Sequence, residues 1–104
     1  MATTTTTGQL IIVSGAPGAG KSTVAKQLVA RFDRAVLLVG DDLWAAIERG
    51  GIPPYLAEAQ HQNETVMHAL GAAAAEFATG GYLVVLETVV GPWFVPTVAA
   101  ATLD

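Results

Sequence analysis

A glycine-rich segment between two different apolar patterns constrains the fold of this chain more than any other feature. Leu10 to Val13 is an apolar, β-branched run that is too short for a helix and is typical of a strand buried on both faces. From Lys21 to Phe32, apolar residues recur every four positions, as on one face of a helix. The glycines between the two patterns predict a tight turn that leads from a buried strand directly into a helix.

Two further apolar runs, Ala35 to Val39 and Leu83 to Leu86, also predict buried strands. Between them we expect a brief helix over Leu43–Arg49, a proline-containing loop, and a long helix over Ala57–Thr79 with one apolar stripe. The stripe consists of Val66, Leu70, Ala73 and Phe77. Strands that alternate with helices imply a parallel sheet with right-handed crossovers, so the predicted fold class is α/β.

Length and composition limit the chain to one folded unit. Of its 104 residues, 52% are hydrophobic and only 13% are charged, which is not the composition of a disordered chain. We expect residues 1–8 to be a disordered leader and residues 9–104 to form one domain, incomplete at its C-terminal end. A short apolar helix, with Pro96 in its first turn, is expected over Thr97–Leu103.

Charge and residue types exclude several classes of partner. The net charge of −4 argues against binding to nucleic acid or to an anionic membrane, because both attract basic surfaces. The absence of cysteine excludes disulfides and thiolate metal sites. No apolar run approaches the roughly 18 residues that a membrane-spanning helix needs. The threonine-rich start has no basic residue before an apolar stretch, so it does not predict a secretory signal, and we expect a cytoplasmic location.

The glycine-rich segment also has the pattern of a phosphate-binding loop. It matches G-x-x-x-x-G-K-[ST] with the residues Gly15, Ala16, Pro17, Gly18, Ala19, Gly20, Lys21 and Ser22. Glycines let the backbone N–H groups turn inward around phosphate oxygens. Lys21 supplies a charge for the β and γ phosphates, and the Ser22 hydroxyl suits Mg²⁺, with Thr23 as the weaker metal candidate. A turn that binds nothing would explain the glycines but not the Lys–Ser pair.

From Leu10 to Phe32 the sequence resembles the P-loop NTPase superfamily. The run from Val39 to Trp44 is similar to the corresponding segment of small P-loop kinases and phosphotransferases, including the chloramphenicol phosphotransferase, zeta toxin and polynucleotide kinase groups. This resemblance implies a three-layer fold with the parallel strands in the order two, three, one. It also implies ATP and Mg²⁺ as cofactors and a hydroxyl-bearing small molecule as the phosphoryl acceptor.

Carboxylates follow the second and third predicted strands, at the sheet edge where ligands of α/β proteins bind. A carboxylate of Asp41 or Asp42 could accept the proton of an attacking hydroxyl, or Asp42 could cap the following helix. By the resemblance, Asp41 is the base. Glu87 closes a strand similar to a Walker B strand, which normally ends in Asp; it could orient a metal-bound water or activate water for hydrolysis.

Several polar and aromatic residues have two interpretations each. Asn63 extends the apolar stripe and could face substrate, or it could bond to backbone in the core. His61, Glu64 and His68 have a spacing that metal ligands can have, but their helix face lies opposite the stripe and should point to solvent. An acceptor pocket could be lined by the aromatic residues Trp44, Tyr55, Trp93 and Phe94.

The function that these patterns favour is an ATP-dependent kinase acting on a small-molecule hydroxyl. The alternatives are an ATPase in which Glu87 activates water and a nucleotide-binding module without turnover. No Lys or Arg follows Arg49 in the sequence, whereas small P-loop kinases close over the phosphates with arginines from later in the chain. We therefore expect slow transfer unless Arg49 or a partner chain supplies this charge, and we expect the first strand to be an open edge that invites self-association.

Overall fold

The structure of the chain is a computed structural model that describes residues 3–7, 9–15, 18 and 20–88. The predicted C-terminal helix, Trp93 and Phe94 lie outside these residues. The elements in chain order are β1 (Thr3–Thr7), β2 (Leu10–Ser14), α1 (Lys21–Val29), β3 (Ala35–Val39), α2 (Gly40–Ala45), a 3-10 turn (Ala57–Ala59), α3 (Gln60–Thr79) and β4 (Leu83–Thr88). In the described part, none of the helices has both the length and the apolar character needed to cross a bilayer.

The sheet has the order β1-β2-β4-β3, in which β2, β4 and β3 are parallel. The three parallel strands are the ones predicted from the sequence, and the third in the chain lies between the first and the second, as expected. The α/β fold class is therefore confirmed. Because β4 is central, its backbone is hydrogen bonded on both sides and it fixes the relative height of its two neighbours.

The N-terminal segment differs from the prediction. Residues 1–8 were expected to be disordered, but Thr3–Thr7 form β1, which pairs antiparallel with β2 from Thr3 opposite Ser14 to Thr7 opposite Leu10. Threonine is β-branched and fits an extended backbone better than most polar residues, which explains why a polar segment forms a strand. As a consequence, β2 is not the open edge that the sequence predicts, because β1 covers it.

The two faces of the sheet carry separate cores, as the pleat of a strand requires. Alternate residues of β2 and β4 face α2 and α3 on one side, and the residues between them face α1 on the other. The α3 core contains Leu10, Ile12, Val66, Met67, Leu70, Ala74, Val84 and Leu86. The α1 core is smaller and contains Ile11, Val13, Ala25 and Val85. The result is the expected three-layer arrangement of helix, sheet and helix.

Two helices depart from their predicted bounds or faces. The brief helix expected over Leu43–Arg49 is α2 and begins three residues earlier, at Gly40, directly after β3. The buried face of α3 includes Met67 and Ala74, whereas Phe77 of the predicted stripe is 39% exposed. Phe77 instead packs edge-on against Tyr82, with 5.9 Å between the ring centroids. The predicted stripe missed this because the buried face continues from Ala74 to Ala78, which leaves Phe77 at its border.

Candidate nucleotide-binding site

The candidate site lies where the three parallel strands end. Val13 of β2 and Val39 of β3 are both paired with Glu87 of β4, so the three strands reach their carboxyl ends at the same height. β2 leads into the glycine-rich loop, and β3 leads into α2. Ligands of open α/β sheets bind at this edge. The topology therefore brings the loop, the acidic start of α2 and the end of β4 to one place.

The glycine-rich loop has backbone conformations that only glycine adopts readily. Gly18 and Gly20 have φ angles of 84° and 85°, in the left-handed region. A Cβ atom added at either position would meet no atom within 4 Å, so the glycines are required by the backbone conformation and leave open space beside the chain. Of the motif residues, Ala16, Pro17 and Ala19 lie outside the described residues.

The N-terminus of α1 is suited to an anion. Gly20 is its N-cap and supplies no side-chain hydrogen bond, and the first turn contains no acidic residue. The first N–H groups of the helix are therefore free of a side-chain cap, and the helix dipole adds a partial positive charge. Half-buried Lys21 and exposed Ser22 and Thr23 line a cavity of about 320 Å³ together with Gly18 and Gly20. Such a helix start binds phosphate groups.

Glu87 is the most unusual polar residue of the described part. It is only 7% exposed, and its Oε1 atom is buried without a hydrogen-bond partner among the described residues. A buried carboxylate oxygen without a partner is unfavourable, and most such atoms in native proteins are satisfied by protein, water or an ion. Mg²⁺ prefers oxygen ligands and usually keeps several waters, so the carboxylate fits a place in or just beyond its coordination shell.

The paired aspartates lie in the first turn of α2. Val39 is the N-cap of this helix and no side chain caps it, so the interpretation of Asp42 as a cap is wrong. Both Asp41 and Asp42 are exposed, and carboxylates in a first turn are stabilised by the helix dipole. Neither carboxylate therefore caps α2, and both are accessible from solvent.

Gly40 determines how closely these aspartates approach the end of β4. It is buried, and a Cβ atom at this position would lie 3.2 Å from Thr88 Oγ1 and 3.4 Å from the Glu87 carbonyl oxygen. These distances are shorter than ordinary contacts, and a carbonyl in the central strand cannot move away easily. The absence of a side chain thus lets α2 begin directly against β4.

We expect Gly40→Ala to destabilise the protein by about 1 kcal/mol, because an overpacking cost of about 1–3 kcal/mol is partly offset by the better helix propensity of alanine. Urea unfolding measures the change. Gly51→Ala is the matched control, since its nearest neighbour would lie at an ordinary 3.6 Å. Equal stability of the two variants would contradict the close approach of α2 to β4.

Asn63 has a hydrogen-bond partner for each of its amide atoms. Trp44 Nε1 donates to Asn63 Oδ1 at 2.9 Å, and Asn63 Nδ2 donates to the Pro54 carbonyl at 2.9 Å. Beside it, Gln62 donates to the Ile52 carbonyl at 2.7 Å and accepts from the Ile52 N–H at 2.8 Å. These bonds tie α2 and the proline-containing loop to α3, and they favour the packing interpretation of Asn63 over contact with substrate.

No pattern in the sequence indicates the role of Gln62, because a polar residue near the start of a helix is ordinary. Trp44, considered for an acceptor pocket, is half-buried against the α3 core, while Tyr55 is 86% exposed. His61, Glu64 and His68 are exposed as expected. In the described part of the chain, no three His, Asp or Glu residues are placed together so that they could hold a metal ion.

Few basic residues lie at this edge of the sheet. Arg34 directly precedes β3 and therefore lies at the opposite, amino-terminal edge of the sheet. Lys26 is in the last turn of α1, away from the loop. Arg49 is exposed and follows α2 by four residues. Lys21 is consequently the basic residue that the phosphate loop itself supplies.

These features define a P-loop domain that binds nucleotide: a buried strand, a glycine-rich loop with left-handed backbone, and a helix without a side-chain cap that starts with Lys21. A family model described as AAA domain matches residues 10–93 of the chain. The chain therefore belongs to this family of AAA domains, within the P-loop NTPases. A comparison with curated proteins found no match.

Proposed function

We propose that the domain binds ATP with Mg²⁺ and transfers the terminal phosphoryl group to the hydroxyl of a small molecule. The observation that carries this proposal is the meeting of three different groups at one sheet edge: the phosphate loop after β2, two exposed carboxylates after β3, and a buried carboxylate at the end of β4. A phosphoryl transfer needs a cradle for phosphate, charge neutralisation and a group that accepts the proton of the nucleophile.

Each group has a separate task in this proposal. The loop N–H groups and Lys21 bind the β and γ phosphates and balance their charge. Ser22 and Glu87 would hold the metal ion, which would supply positive charge to balance the phosphates. Ser22 offers an exposed hydroxyl oxygen and Glu87 a buried carboxylate. Asp41 accepts the proton of the acceptor hydroxyl, and Asp42 contacts the acceptor. Asn63 keeps α2 in position through Trp44.

Hydrolysis is the second candidate, because a buried carboxylate with an unpartnered oxygen could equally orient a water molecule. The two functions differ in which carboxylate acts on the nucleophile. In transfer to a hydroxyl it is Asp41 in α2, whereas in hydrolysis it is Glu87 in β4. The exposure of Asp41 and the burial of Glu87 favour transfer, since an acceptor molecule needs an accessible base.

The experiment for this proposal is a screen of small hydroxyl compounds for phosphoryl transfer from γ-labelled ATP by the full chain. We expect at least one compound to become labelled and to raise ATP consumption above the rate with water alone. If ATP consumption is the same with every compound and all label appears as inorganic phosphate, the domain is an ATPase. If nucleotide binds and no label moves, it is a binding module.

Glu87→Gln separates the metal role of this residue from a role in folding. We expect the variant to need at least tenfold more Mg²⁺ for ATP binding, because the amide keeps the shape but loses the charge. Its unfolding midpoint without nucleotide should stay at or above that of the wild type, since an unpaired buried carboxylate is removed. Calorimetry and thermal unfolding measure the two effects.

Glu76→Gln is the control for this substitution. It removes the same charge from a residue that is exposed on α3. It should alter neither the Mg²⁺ requirement nor the unfolding midpoint. If the Glu87 variant had the wild-type Mg²⁺ requirement, Glu87 would not hold the metal ion. Glu87 would then also not act through the metal ion in the hydrolysis candidate.

A further inference from the structure

A second cavity lies at the opposite edge of the sheet from the phosphate loop. It is an open surface cleft with a volume of about 370 Å³. It is lined by Gln9, Phe32, Asp33, Arg34, Gly81 and Leu83. Gln9, Arg34 and Leu83 stand immediately before or at the start of β2, β3 and β4, so this cavity is at the amino ends of the strands. None of these residues takes part in the proposed phosphoryl transfer.

The walls of this cavity are fixed by the sheet. The Leu83 N–H donates to the Arg34 carbonyl at 3.0 Å, and the Val84 N–H donates to the Gln9 carbonyl at 2.9 Å. Gly81 has a φ of 94°, and a Cβ atom built there would lie 3.9 Å from Arg34 Nη1. The two hydrogen bonds hold the backbone of Gln9, Arg34 and Leu83 in a defined arrangement, and a fixed backbone lowers the entropic cost of binding.

Arg34 is held in place although it lies at the surface. Its guanidinium carbon is 4.5 Å from the centroid of the Tyr82 ring, and Tyr82 is packed edge-on against Phe77. A guanidinium stacked on a ring keeps its N–H donors at its rim available for a carboxylate. Within the described residues, Arg34 forms no ion pair, although the chain as a whole has a net charge of −4.

The other lining residues limit what could bind beside Arg34. Phe32 is 45% exposed and offers an apolar surface, which favours a ligand with a flat, apolar body. Asp33 also lines the cavity, and its negative charge disfavours a ligand with several negative charges, such as a nucleotide. We infer that this cavity, which we call the amino-edge pocket, binds an aromatic compound with a single carboxylate.

The test uses 2-naphthoate as the probe and neutral 2-naphthamide as its matched compound, with the full chain and no nucleotide. Amide NMR shifts of Arg34 and of residues 81–84 report binding at the amino-edge pocket. We expect 2-naphthoate to bind at least tenfold more tightly than 2-naphthamide, because only the carboxylate forms charge-assisted hydrogen bonds with Arg34. Because no nucleotide is present, the result does not depend on the proposed phosphoryl transfer.

Two variants show whether Arg34 itself is responsible. Arg34→Gln should weaken 2-naphthoate binding to the level of 2-naphthamide, whereas Arg31→Gln, which removes the same charge from an exposed site outside the cavity, should leave the affinity within twofold. Equal affinity of the two compounds for the wild type would overturn the inference. Equal weakening by both variants, or shifts confined to residues 18–23, would overturn it as well.

Discussion

Lys21→Ala should lower the affinity for Mg·ATP by about ten- to hundredfold, because it removes a charge-assisted contact to phosphate worth about 1.5–3 kcal/mol. Turnover should fall further, by about 10²- to 10³-fold, since the same charge stabilises the transferring phosphoryl group. The loop has no second basic residue that could compensate: Lys21 is the first residue of α1, and no acidic or basic residue accompanies it in the first turn of α1. Titration calorimetry and a coupled phosphate assay measure the two losses.

Lys26→Ala is the matched control, because Lys26 is an exposed lysine of the same helix, in its last turn. It should keep wild-type affinity and turnover. If both lysine variants bound Mg·ATP like the wild type, the start of α1 would not hold the phosphates. The assignment of the glycine-rich loop as the phosphate-binding site would then be wrong.

Asp41→Asn should reduce phosphoryl transfer by about 10²- to 10⁴-fold, the usual contribution of a general base, and leave the Kd for Mg·ATP unchanged. The amide keeps the shape of the carboxylate and its place in the first turn of α2 but cannot accept a proton. The measurement is the rate of acceptor labelling at saturating ATP, together with a direct binding titration.

Asp42→Asn is the internal comparison, because Asp42 is also exposed and lies in the same turn. We expect it to raise the KM for the acceptor more than it lowers kcat. If the Asp42 variant were inactive and the Asp41 variant active, Asp42 would be the base and Asp41 would contact the acceptor. Full activity of both variants would mean that neither carboxylate accepts the proton.

The sheet and the phosphate loop could be predicted because their signals are local. Leu10 to Val13, Ala35 to Val39 and Leu83 to Leu86 are apolar runs of strand length, and the parallel arrangement follows from the helices between them. The loop is defined by a pattern with a fixed spacing and by positions such as Gly20, where the backbone has a left-handed conformation. The structure confirms the fold class and the order of these strands.

The features that sequence reasoning missed depend on contacts between distant segments. Thr3–Thr7 are polar and give no signal for a buried face, yet they form a strand because the edge of β2 is available for pairing. The start of α2 at Gly40 depends on a close approach to Thr88, which is far away in the sequence. Likewise, the hydrogen bonds of Asn63 and Gln62 reach Trp44, Pro54 and Ile52 only once α3 has docked.

The origin of the oxygen atom that attacks the phosphoryl group tests the proposed kinase activity most directly. ATP turnover by the full chain is followed in ¹⁸O-labelled water, with the acceptor found in the screen, and the products are analysed by mass spectrometry. We predict a phosphorylated acceptor without ¹⁸O, formed faster than ¹⁸O-labelled inorganic phosphate. Turnover that yields only ¹⁸O-labelled inorganic phosphate, at a rate independent of the acceptor, would contradict phosphoryl transfer to a hydroxyl.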